Sequence, residues 1–105
     1  MNALKINKGE GLRHQLTWRA NGEPFDITGM HLAIVESSPR SLMQGTVVVQ
    51  EIDPEDPETW GKADLMVPGA LFANALPGRS SWIRVGLTLS DGEVDTTPPI
   101  WIEIE

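Results

Sequence analysis

The chain has 105 residues, no cysteine, and a formal net charge of −7 from 15 acidic and 8 basic residues. That length fits a single domain over residues 1–105, which buries roughly 65% of the surface its unfolded chain exposes and needs no metal or disulfide to hold its core. Without cysteine there is no disulfide framework, thiolate metal site or cysteine nucleophile, and without a cluster of Lys or Arg there is no footprint for phosphate neutralisation. Nucleic acid is therefore not an expected partner.

Apolar residues recur at every second position in several separate runs, the period of half-buried strands. A short strand is predicted around Leu4 to Ile6. In Leu12 to Arg19 the set Leu12, His14, Leu16 and Trp18 alternates with Arg13, Gln15, Thr17 and Arg19. Met30, Leu32 and Ile34 alternate with His31, Ala33 and Val35 in the next long run. Gly45 to Ile52 is rich in β-branched residues, and Trp60 to Val67 is a weaker strand. In Ser81 to Leu89 the residues Ile83, Val85, Leu87 and Leu89 face the core, opposite Trp82, Arg84, Gly86 and Thr88. The last run sets Ile100, Ile102 and Ile104 against Trp101, Glu103 and Glu105.

Turn signals separate these runs at Asn21-Gly22, Ser38-Pro39, the Pro54/Pro57 loop, Pro77-Gly78 and Asp91-Gly92. Only Gly69 to Leu76 reads as helix, for barely two turns. The expectation is an all-β chain, an antiparallel β-sandwich of Ig-like type with about seven strands and one short helical segment. The most apolar stretch, Leu65 to Leu76, is too short for a bilayer and is interrupted by Pro68, Gly69 and Asn74. The leading MNALKINKGEG has no apolar region of a secretory signal, so neither membrane nor export by the general route is expected.

The stretch Asn21 to Met30, NGEPFDITGM, reads as a corner. Asn21 and Gly22 suit a tight hairpin that needs positive φ at both central positions. Pro24 withholds a donor, so the residues after it do not sit inside a ladder. Phe25 and Ile27 plug one end of the core, Asp26 and Thr28 bond neighbouring amides, and Gly29 relaxes the backbone where the next strand begins. A hairpin turn, a proline and then Asp-Ile-Thr-Gly before an apolar strand resembles the "dLTG" signature of small β-sandwich proteins and domains in tailed-phage baseplates and tails. The Leu71 to Pro77 segment, the strand from Trp82 to Leu89, the Asp91-Gly92 turn and the short final strand agree in order, so the resemblance spans about Leu12 to Glu105. It implies a structural role in a virion or prophage tail, assembled in the bacterial cytoplasm, with other tail proteins and copies of itself as partners.

No residue set carries catalysis. The acidic loop Glu51 to Glu58 supplies oxygen ligands, but Pro54 and Pro57 stiffen it and the glycine of a calcium loop is missing, so it reads as a solvated, mobile loop with no metal. His14 and His31 fall on opposite faces of different strands, and no serine sits in a nucleophile elbow. No cofactor is expected. The informative anomaly is tryptophan: four Trp, two Phe and no Tyr. Trp82 and Trp101 run out of phase with the core residues of their strands. With Asp91-Gly92 as a two-residue turn, Ser90 pairs with Glu93, Leu89 faces Val94, and the ladder brings Ile83 opposite Ile100 and Trp82 opposite Trp101. Pro98 and Pro99 then mark the final strand as an edge. Trp82, Trp101, Arg84 and Glu103 are the expected protein interface, with a carbohydrate platform on the same indoles as the alternative.

Overall fold

Strands account for 50% of the chain and helical turns for 12%, with no helix of seven residues or more. The computed structural model describes residues 3–105, apart from the Arg79 side chain, so Met1 and Asn2 of the expected domain lie outside the described residues. In chain order the strands are β1 (Leu4–Ile6), β2 (Leu12–Thr17), β3 (Arg19–Ala20), β4 (Glu23–Pro24), β5 (His31–Ser38), β6 (Thr46–Val49), β7 (Lys62–Val67), β8 (Gly78–Thr88), β9 (Val94–Thr96) and β10 (Ile100–Ile104). One sheet runs in the order β1-β10-β8-β5 with β9 also on β8, and a second in the order β2-β7-β6; β3 and β4 make a two-stranded ribbon.

Every expected strand is present, and the surplus over seven comes from local turn chemistry. Asn21 (φ 53°) and Gly22 (φ 78°) both take positive φ, which turns Arg19–Ala20 back on Glu23–Pro24 as β3 and β4. At the other end, the final hairpin splits into β9 and β10. The helical expectation at Gly69 to Leu76 shortens to a 3₁₀ turn over Gly69–Phe72, and two further 3₁₀ turns form at Arg40–Gln44 and Pro57–Thr59. The Ser41 hydroxyl donates to the Leu71 carbonyl at 2.8 Å and so ties two of these turns together.

The buried apolar residues form a cluster drawn from both large sheets. Ile83, Val85, Leu87, Ile102 and Ile104 come from one, and Leu12, Ala63, Leu65 and Val67 from the other, joined by Trp18, Ile27, Leu42 and Phe72 from outside the strands. The alternation in β7 is complete: Ala63, Leu65 and Val67 are buried while Lys62, Asp64 and Met66 are partly exposed. Ser81 is the exception within the cluster, fully buried with no hydrogen-bond partner for its hydroxyl among the described residues. An unpaired buried hydroxyl costs about 1–3 kcal/mol. Ser81→Ala is thus expected to raise the melting temperature by a few degrees in a thermal scan, and a clear drop would show that the hydroxyl has a partner.

Two expectations about the last hairpin need correction. The turn is not two residues long: the Gly92 amide donates to the Leu89 carbonyl at 2.9 Å and the Leu89 amide to the Glu93 carbonyl at 2.7 Å, leaving Ser90, Asp91 and Gly92 as the loop. Gly92, at φ 89°, supplies the bulge that such a three-residue connection uses. Thr88 therefore faces Val94, and Leu87 faces Asp95. The second half nevertheless reaches the expected register, Ile83 opposite Ile100 and Trp82 opposite Trp101, because the Thr97–Pro99 segment takes up one extra residue. Thr97 covers the break by donating its amide to the Val85 carbonyl and accepting the Val85 amide on its hydroxyl.

Nor is the last strand an edge throughout. β1 lies parallel to it, Leu4 beside Ile102 and Ile6 beside Ile104, whereas the other ladders among the described residues are antiparallel. The prolines remove donors only at 98 and 99; from Ile100 onward the chain has amides for neighbours on both sides.

Candidate protein-interaction face

The outer face of the larger sheet carries the four residues expected at an interface. Trp82 and Trp101 are directly opposite one another, with ring centroids 6.5 Å apart and planes tilted by 59°. Both indoles are half-buried, so each shields the other and leaves part of the pair open to solvent. Tilted, non-stacked pairs of this kind are a favoured aromatic geometry. Arg84, two residues along β8, donates from Nε to the Thr97 carbonyl at 3.2 Å and reaches Glu36 at 3.6 Å. Glu103 lies beside the Trp pair on β10 and meets Lys5 of β1 at 3.7 Å. These ion pairs are partly exposed and contribute little stability; they fix where charge sits around the indoles.

A second apolar patch went unmarked in the sequence. Val35 and Val94 are 43% and 54% exposed, and their methyl groups close over Gly86, where an added Cβ would fall 2.7 Å and 2.9 Å from them. Glycine at 86 thus lets the two valines meet across β8. Val94 faces outward because the turn is three residues long, and Val35 because it alternates with buried Ile34; the register break that follows brings Glu36 onto the same face, opposite Arg84. The turn length behind Val94 has no signal in the alternation pattern, whereas the placement of Val35 follows from it. The outer face therefore shows Trp82 and Trp101 at one end, Val35 and Val94 at the other, and the Arg84–Glu36 pair between.

The corner residues are placed as a turn. The Thr28 amide donates to Asp26 Oδ1 at 2.9 Å, and the Met30 amide to the Ile27 carbonyl at 3.0 Å, with Gly29 at φ 82°. Asp26 is exposed, and the Thr28 hydroxyl, then the Thr28 amide, hold its carboxyl below the usual range. Asp91 plays the same part in the last hairpin, accepting from the Glu93 amide at 2.9 Å.

The acidic loop is more ordered by hydrogen bonds than its two prolines predict. Asp53 Oδ1 accepts from the Glu55 amide and Asp56 Oδ1 from the Glu58 amide, while the Trp60 ring N–H donates to the Asp53 carbonyl at 3.0 Å. Trp60 is the anchor that the loop's own residues do not supply. Among the described residues no three His, Asp or Glu side chains converge as a metal site would require. His14 and His31 sit on different sheets, and the Ser37, Ser41 and Ser80 hydroxyls donate to carbonyl groups. No helix among the described residues is long and apolar enough to cross a membrane.

Searches of family models, curated proteins and solved structures found no match to this chain. The functional reading therefore rests on geometry: a β-rich chain whose unusual side chains gather on one outward sheet face.

Proposed function

We propose that this chain is an Ig-like β-sandwich module without catalytic chemistry, which works through protein contacts as a structural or assembly component of a phage or prophage tail or baseplate. Two sheets that share core residues support the sandwich. The corner NGEPFDITGM, built as a hairpin, a core plug and an Asx turn, supports the likeness to tail proteins. The observation that carries the interaction role is the outward Trp82–Trp101 pair, since paired, partly open indoles are the kind of side chain enriched where a protein meets a partner.

The partner is a second copy of the chain, joined face to face across a two-fold axis, with other tail proteins meeting the assembled form. The 59° tilt favours this over a carbohydrate platform, because a sugar ring stacks on an open, flat indole face and a tilted pair packs better into a shaped protein surface. Light scattering coupled to size exclusion is expected to report more than one chain, and Trp82→Ser with Trp101→Ser to give a folded monomer. A parent protein that stays monomeric at about 100 μM would sink self-association, and saturable quenching of Trp fluorescence by host-wall glycans would favour the sugar-binding alternative.

A further inference from the structure

The geometry points to a second interaction site, on the open edge of β2, which takes an extended acidic segment of another protein as an added strand. Among the described residues β2 has β7 as its one ladder partner, in unbroken register from Leu12 opposite Val67 to Thr17 opposite Lys62. Continuing that register, Trp18 faces Gly61 and its amide donates to the Gly61 carbonyl at 2.8 Å. Opposed residues in an antiparallel pair alternate between bonded and non-bonded, so Leu12, His14 and Leu16 bond to β7 as Trp18 does. The amides and carbonyls of Arg13, Gln15 and Thr17 therefore point away from β7, and among the described residues no backbone hydrogen bond outside the ladders reaches them.

The other sheet edges are blunted in ways this one is not. β1 and β9 are three residues long, β5 breaks register at Val35, and β6 has four residues. β2 has six, without proline or bulge. Its core-facing His14 and Leu16 remain partly exposed, whereas Ala63 and Leu65 opposite them across the sheet are fully buried. A further strand would cover that flank and satisfy three outward amides, the usual chemistry of strand addition.

Charge selects the occupant. The span Leu12 to Arg19 and strand β7 together carry Arg13, Arg19 and Lys62 against one carboxylate, Asp64, which Arg13 meets at 3.5 Å. This margin is cationic in a chain of net charge −7. A second copy would bring the same cations to the same edge, so this charge pattern favours an anionic strand. Residues opposite Arg13, Gln15 and Thr17 would share their solvent face and be acidic; those opposite His14 and Leu16 would be apolar.

The test uses a capped peptide of alternating Val and Glu, and a Val and Lys counterpart, monitored by amide NMR and hydrogen exchange. The amides of Arg13, Gln15 and Thr17 are expected to exchange fast in the protein alone, and to shift saturably and gain protection with the Glu peptide, less so at high salt. Gln15→Pro removes an amide that the fold does not use, so it is expected to leave the melting profile near that of the parent while weakening the peptide at least about tenfold. The Trp82→Ser, Trp101→Ser protein is expected to bind the peptide as the parent does, which separates this site from the indole face. No saturable shift at these amides up to about 1 mM overturns the proposal. So does equal binding of the Lys peptide, or concentration-dependent protection of the three amides without peptide, which would assign the edge to a second copy.

Discussion

Gly61→Ala is expected to cost about 4 kcal/mol and lower the melting temperature by roughly 20 °C or more. Gly61 stands at φ 75° where the start of β7 passes the end of β2 and the corner after β4. A Cβ there falls 2.8 Å from the Phe25 carbonyl oxygen and still closer to that of Trp18. Both neighbours are backbone and neither can swing aside as a side chain would. The Trp18 amide is also bonded to the Gly61 carbonyl, so relief by moving one chain breaks the ladder at its end. Gly29→Ala is the control: φ is 82° but no atom lies within 4 Å of the added Cβ. It carries only the backbone term, about 1–2 kcal/mol. Thermal unfolding monitored by circular dichroism compares the two, and a Gly61→Ala protein no less stable than Gly29→Ala would remove the steric argument.

The different fates of these glycines show what a sequence discloses and what it hides. Alternation places Leu65 inward and Asp64 outward without reference to any other strand, because the pleat alone decides faces. It says nothing about neighbours. That β1 lies beside β10, and that β2 has no second strand partner among the described residues, are consequences of the order of strands in a sheet, which long-range packing decides. The turn at Asp91-Gly92 was legible as a turn but not in its length, since a glycine with positive φ serves a two-residue hairpin and a three-residue one equally. One residue of difference there turned Val94 outward, and the extra residue at Thr97–Pro99 restored the Trp82–Trp101 pair. The indoles were therefore legible as an outward pair, and Val35 as lying opposite Ile34, whereas Val94, displaced by the length of the turn, was not.

Ile27→Ala is expected to cost about 3 kcal/mol, within the range of buried isoleucine truncations. Ile27 is fully buried although it belongs to no strand: it lies between β4 and β5, with the Asx turn at Asp26 and Thr28 directing it inward. Phe25 is only partly buried, so Phe25→Ala is expected to cost less despite the larger side chain. That ordering separates two explanations of NGEPFDITGM. If the stretch is a corner whose work is to seat one isoleucine, stability falls most at Ile27 and the double-Trp interface is untouched by Ile27→Val, which preserves most of the volume. If the stretch instead meets a partner, exposed Asp26 and Thr28 are the sensitive positions, and Ile27→Ala unfolds no more readily than Phe25→Ala. Denaturant melts of the three single variants, with light scattering on Ile27→Val, distinguish these outcomes. The burial of Ile27 beside an exposed Asp26 favours the first, because a partner reads exposed groups and a core reads volume.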